Sequence, residues 1–156
     1  MRRPGLTALK SAAATIEYEL SMLSAAFAET GNSKVHLHNM AVETFLLHAR
    51  NLRDFFRSTG HGDDIRARDF VKTMPKISMP TVFSPAFNTR VNKKLAHPSY
   101  KRARLKAKWH QGKITRELVR AMDRFLSQLD ADYPRRRAWF GAVTRLIAEA
   151  KRLGIA

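Results

Sequence analysis

Arg90 and His97 are the pair in this sequence whose chemistry reaches beyond packing. A guanidinium is a permanent fork of donors for phosphate oxygens, and an imidazole passes protons near neutral pH. Arg90, Lys94 and His97 fall at i, i+4 and i+7, on one stripe of a helix. Phe87, Val91 and Leu95 recur every four residues on another stripe, the one that packs. Seven residues rise about 10 Å along a helix axis, too far for both side chains to hold one phosphate from a straight segment. Either the helix bends or unwinds before Pro98, or a second copy of the chain completes the site across a twofold axis, where the same patch meets itself.

The charge is concentrated around this pair. The chain carries a formal net charge of +16; residues 90–120 hold 11 Lys/Arg against 1 Asp/Glu, whereas residues 1–89 hold 11 against 8. A clustered cationic field suits a polyanion, because each neutralised phosphate releases counterions. The plainer alternative is a solvated, solubilising face. Within the cluster, Lys101, Arg102, Arg104, Lys106 and Lys108 alternate along one run that ends at Trp109, with Tyr100 at its start. With Lys93 and Lys94 these are the candidate nucleic-acid contacts. Cations interleaved with aromatic rings suit single-stranded RNA, whose phosphates meet the charges and whose unstacked bases lie on rings. Trp109 itself reads more simply as a core anchor.

Composition narrows the remaining possibilities. At 156 residues the chain is long enough for one domain with a real core and too short for two ordinary ones, so 1–156 is taken as a single helical domain. Cysteine is absent, which removes disulfides, thiol nucleophiles and thiolate metal sites. No apolar run approaches the roughly 18 residues of a spanning helix, and Met1-Arg-Arg-Pro-Gly5 opens no secretory signal, so a cytoplasmic protein without membrane partners is expected. Glycine-rich phosphate loops, His-Glu-x-x-His and paired catalytic carboxylates do not occur. His36 and His38, two apart on a helix, point to different faces and do not make a metal site. No metal and no cofactor are expected.

The elements that must position the pair read as five helices. Leu6, Leu9, Ala13, Ile16, Leu20, Leu23 and Phe27 step by 3 and 4 over three heptads, and Gly31 is the expected stop. The second helix is expected from Ser33 or Lys34 to Ser58, with Asn32 or Ser33 as cap and Val42, Phe45, Ala49, Leu52 and Phe56 facing inward. Glu43, Arg50 and Asp54 gather on its opposite side. They form either a surface ion-pair row or a carboxylate-bearing row that faces Arg90 and His97; His48 and Asn51 flank it as weaker candidates. Residues 59–85 contain Pro75, Pro80 and Pro85 and read as a long loop with a short helical turn at 64–71. The third helix spans Pro85 to His97, the fourth Lys113 to Ala131 as a core helix, and the fifth follows Asp132-Tyr-Pro134, with Asp132 as cap. Arg135, Arg136 and Arg137 at the start of that last helix oppose its dipole, which an anion bound there would relieve.

The Arg90-x6-His97 spacing on a late helix, after a second helix reading Glu43-Thr-Phe-Leu-Leu-His-Ala-Arg-Asn-Leu-Arg-Asp-Phe-Phe56, resembles the HEPN (higher eukaryotes and prokaryotes nucleotide-binding) superfamily over roughly residues 35 to 130. Val91 stands directly after the Arg where the family usually has a polar residue, Asn92 comes one later, and Pro98 follows the His. The resemblance implies a metal-independent endoribonuclease acting as a homodimer. His97 takes the proton of a ribose 2′-hydroxyl, Arg90 steadies the charge growing on the phosphoryl oxygens, and Asn92, Glu43 or Asp54 orients them. It further implies single-stranded or looped RNA as substrate, a toxin or defence role, and a cognate inhibitor protein. The competing expectation is a non-catalytic basic helical module that binds nucleic acid or a partner protein, with His97 serving only its helix end.

Overall fold

The a/d stripe of the first 30 residues makes α1 (Leu6–Glu29) and buries Leu9, Ala13, Ile16, Leu20 and Leu23. Its ends depart from the heptad reading: Leu6 is exposed, Phe27 is half-buried, and Ala26 is buried near the C-terminal end. A straight helix drifts about 20° per heptad from a 3.5-residue repeat, so over three heptads both ends of the stripe swing off the contact. Gly31 stands just past the end of the helix, as expected, but does not make the stop through a left-handed turn. Its φ is not positive, and the chain turns at Thr30, whose amide and hydroxyl both donate to the Phe27 carbonyl, the hydroxyl at 2.7 Å.

The computed structural model describes residues 4–58, 61–95 and 109–155, the side chains of 93–95 excepted. Over these the protein is all-helical, a small bundle of five α-helices with no strand. After α1 come α2 (Val35–Phe55), α3 (Pro85–Leu95), α4 (Gln111–Asp132) and α5 (Gly141–Arg152), with 3-10 turns at Ala67–Asp69 and Pro134–Phe140. Among the described residues no helix is long and apolar enough to cross a membrane.

α1 and α2 form an antiparallel hairpin; α2 buries the expected Phe45, Ala49 and Leu52, Phe56 is buried just past its end, and Val42 is half-buried. α2 ends at Phe55, short of Ser58, because the Phe56 and Arg57 amides reach back only three residues, to Arg53 and Asp54, tightening the last turn. At the centre of the fold Phe55, Phe70, Phe125 and Phe140 meet edge to face, with ring centroids 5.3–6.1 Å apart. One residue each from α2, the long connection, α4 and the second 3-10 turn thereby lock at one point, where offset aromatic geometry adds to area burial.

The long connection packs down on this core. Met79 and Val82 are fully buried, and Met74, Ile77 and Phe83 are partly so. Its backbone is held by α4: the Glu117 carboxylate, 9% exposed, accepts the Thr81 and Val82 amides at 3.0–3.1 Å. Asp132 does similar work at the other end of α4, accepting from the Lys72 amide at 2.6 Å and from Gln128 at 3.0 Å. It therefore caps no helix, and the segment after it opens as a 3-10 turn without a side-chain cap.

The α5 N-terminus does have an anion, supplied from within the chain. Glu17 of α1 accepts the Ala142 amide at 2.7 Å. The arginines ahead of it are placed elsewhere: Arg136 stacks on Tyr133 at 3.9 Å from the ring centre, and Arg137 Nε donates to the Thr144 hydroxyl. α5 closes on Gly154, the one positive-φ residue among those described, with the Ile155 amide reaching the Ala150 carbonyl at 2.9 Å.

Candidate nucleic-acid interface

α3 packs on α2 through Phe87 and Val91, both buried, and Arg90 on its flank is half-buried. Phe87 touches the edge of Trp109 (centroids 6.2 Å apart), and the Arg90 guanidinium lies over the face of the same indole, 4.7 Å from its centre. Trp109 is half-buried. It is thus core anchor and cation platform at once: one side joins the apolar cluster and the ring carries a guanidinium.

Directly after Trp109, α4 begins. Its buried positions Ile114, Leu118, Met122, Phe125 and Leu129 define one side. Lys113, Arg116, Arg120 and Arg124 are all exposed, and at about 100° per residue they fall within about 80° of one another on the opposite side. The stripe is about 16 Å long at 1.5 Å per residue. Two of its guanidiniums are steadied by carbonyls, Arg116 by Ile155 and Arg124 by Lys76, which fix position without cancelling charge. Of the carboxylates flanking this register, Glu117 is turned inward to the Thr81 and Val82 amides and Asp123 is paired with Lys151 at 2.8 Å. A shallow groove of about 310 Å³ runs between the stripe and Ser78 and Pro80.

On α2, Asp54 is the hub of an arginine cluster. Its carboxylate lies 3.0 Å from Arg53, 3.6 Å from Arg57 and 3.9 Å from Arg50. Arg53 reaches across to α3, donating to the Asn88 side chain at 3.2 Å. Of the two arrangements open for the Glu43, Arg50 and Asp54 row, the Arg50–Asp54 ion pair is present, and Arg53 links this end of α2 to α3. Glu43 is exposed on the same face of α2, nearer its N-terminal end, and Asn92 is half-buried on α3.

His97, with Lys101, Arg102, Arg104, Lys106 and Lys108, lies outside the described residues, as do the side chains of Lys93 and Lys94. The described part of the expected site is therefore Arg90, with its aromatic support, and the candidate orienting residues Asn92, Glu43 and Asp54. His48 proves to be a packing residue: 5% exposed, its Nδ1 lies 2.7 Å from Glu19 of α1, whose carboxylate also accepts from Asn51 at 3.0 Å. This inter-helix triad is invisible to a reading of α2 alone. His38 is likewise committed, its Nδ1 2.6 Å from the Thr30 carbonyl oxygen.

The stripe on α4 is what the core-helix reading passed over. Its signal was present as Lys or Arg at i, i+3, i+7 and i+11 from residue 113. Comparison of the chain with protein-family models, with curated proteins and with solved structures gives no match.

Proposed function

We propose that this protein is a basic helical domain that binds single-stranded RNA along the surface running from Arg90 and Trp109 onto α4. One arrangement supports it above all: an arginine-braced indole leads directly into an exposed, four-cation stripe on the side of α4 opposite the core. Phosphates spaced along a flexible strand pair with the stripe, and a base at its end stacks where the ring is accessible. The test is equilibrium binding of a labelled single-stranded oligoribonucleotide to the wild type and to stripe variants. Binding indifferent to the stripe discards the proposal.

A second reading, cleavage, is favoured by the placement of Arg90. Its guanidinium is held against a ring at the edge of the cationic surface, where a phosphoryl group of the bound strand would lie. Here the chain acts as a HEPN-like, metal-independent endoribonuclease. His97 of a second copy takes the 2′-hydroxyl proton, the oxygen attacks the adjacent phosphorus as its bond to the 5′-oxygen of the next nucleotide breaks, leaving a 2′,3′-cyclic phosphate and a 5′-hydroxyl protonated by the imidazolium or water, and Arg90 stabilises the charge that develops. A homodimer and a cognate inhibitor protein belong to this reading. It is tested by RNA cleavage in wild type and in His97→Ala.

A further inference from the structure

A second cleft lies away from the α4 stripe, at the C-terminal end of α2. It encloses about 520 Å³, within the range of small-molecule sites, and three guanidiniums, Arg53, Arg57 and Arg68, line it together with the apolar side chains Met74, Ile77 and Phe83. Arg53 is the informative member. It is 94% buried, its terminal nitrogen is engaged by Asp54 and Asn88, and its Nε has no hydrogen-bond partner. That nitrogen is sealed from solvent, so what Arg53 offers the cleft is the reachable part of its guanidinium and its charge. Burial also presses the Arg53 pKa down; Asp54 offsets this, while Arg57 and Arg50 add to it. Among the described residues Asp54 is the one carboxylate shared by Arg50, Arg53 and Arg57, which leaves the cluster cationic. Arg68 is fixed at the rim by its bond to the Ser58 carbonyl at 2.9 Å, a contact that leaves its charge uncompensated.

The two halves of the cleft ask for a two-part ligand. Inorganic phosphate would satisfy the guanidiniums and leave Met74, Ile77 and Phe83 against water. A nucleoside would cover those side chains and leave the arginines without an anion. We propose that this cleft binds a nucleoside monophosphate unit, its phosphate among Arg53, Arg57 and Arg68 and its base against Met74, Ile77 and Phe83. Arginine forks suit phosphate oxygens, and an apolar wall suits the face of a base. The assignment does not depend on RNA binding by α4. A free mononucleotide and one nucleotide of a strand present the same chemistry.

Calorimetric titration of the full chain with adenosine 5′-monophosphate, adenosine and inorganic phosphate tests it. The monophosphate is expected to bind at least tenfold more tightly than either fragment. Arg57→Ala and Arg68→Ala, with folding checked by circular dichroism, are each expected to weaken it roughly tenfold, the worth of one charge-assisted hydrogen bond. Arg53→Lys, which keeps the charge and loses the planar guanidinium fork, is expected to weaken it as well. Displacement of the monophosphate by a single-stranded oligoribonucleotide assigns the site to a strand nucleotide, and simultaneous occupancy assigns it to a free nucleotide; both sustain the proposal. Monophosphate binding no tighter than that of adenosine or phosphate, or folded Arg57→Ala and Arg68→Ala proteins that bind like wild type, overturns it.

Discussion

The Arg90 guanidinium rests over the Trp109 indole, 4.7 Å from the ring centre, joining a cation of α3 to the residue that precedes α4. Because Phe87 packs on the same indole, the ring is held from the core side. Trp109→Leu keeps an apolar anchor and removes the platform. Its affinity for a single-stranded oligoribonucleotide is expected to fall by about 1–3 kcal/mol, the worth of one stacked base. Fluorescence anisotropy at fixed salt measures this, and an unchanged affinity would restrict Trp109 to packing.

Glu117 holds the long connection to α4 through the Thr81 and Val82 amides. Glu117→Leu fills similar space and leaves those amides without their acceptor, one of them on a residue that is fully buried. A loss of about 2–3 kcal/mol is expected from urea unfolding. Thermal unfolding would register the same loss as a drop in Tm of several degrees. RNA affinity per folded molecule should not weaken, since the substitution removes a negative charge.

Partial burial acts to raise the Asp132 pKa, but the Lys72 amide, the Gln128 side chain, the Thr73 amide and the Lys72 charge outweigh it. The carboxyl therefore sits below its ordinary value in the folded protein. A group of this kind stabilises the fold while ionised, fully so above its unfolded-state pKa, and the contribution is lost as pH falls through the lower folded-state value. The stability gap between wild type and Asp132→Asn is thus expected to hold steady from neutral pH to the ordinary carboxylate range, then to shrink on further acidification. Urea unfolding across acid pH checks it, and a gap that widens on acidification would contradict the sign.

The helical architecture was largely legible in the sequence. Phe45, Ala49 and Leu52 on α2, and Ile114 to Leu129 on α4, recur at helical spacing and are buried where the period puts them. What the period does not encode is partnership between distant segments. Glu17 capping α5, Glu19 holding His48 and Glu117 holding residues 81 and 82 each join positions 29 to 125 residues apart. Taken alone each is one more surface carboxylate. Of the expected site, the helix carrying Arg90 was legible, and its indole support was not, because Trp109 reaches α3 from across the intervening basic run.

The cleavage reading turns on one imidazole. His97→Ala is expected to abolish cleavage of a single-stranded oligoribonucleotide while leaving its binding within about twofold, as befits loss of a general base that is one contact among many. Lys106→Ala is expected to weaken binding modestly without abolishing cleavage. Wild type that binds the strand and leaves it intact, in gel assays over long incubation, would reduce the protein to a binding module.

The salt dependence of RNA affinity tests the cationic surface most directly. For single strands log Kobs falls against log salt with a slope of about −0.7 per neutralised phosphate. Replacing Lys113, Arg116, Arg120 and Arg124 together by Ala is predicted to flatten that slope by up to about 3 and to weaken binding at low salt by several orders of magnitude, with helix content preserved. A folded quadruple variant that keeps the wild-type affinity and slope would contradict the account.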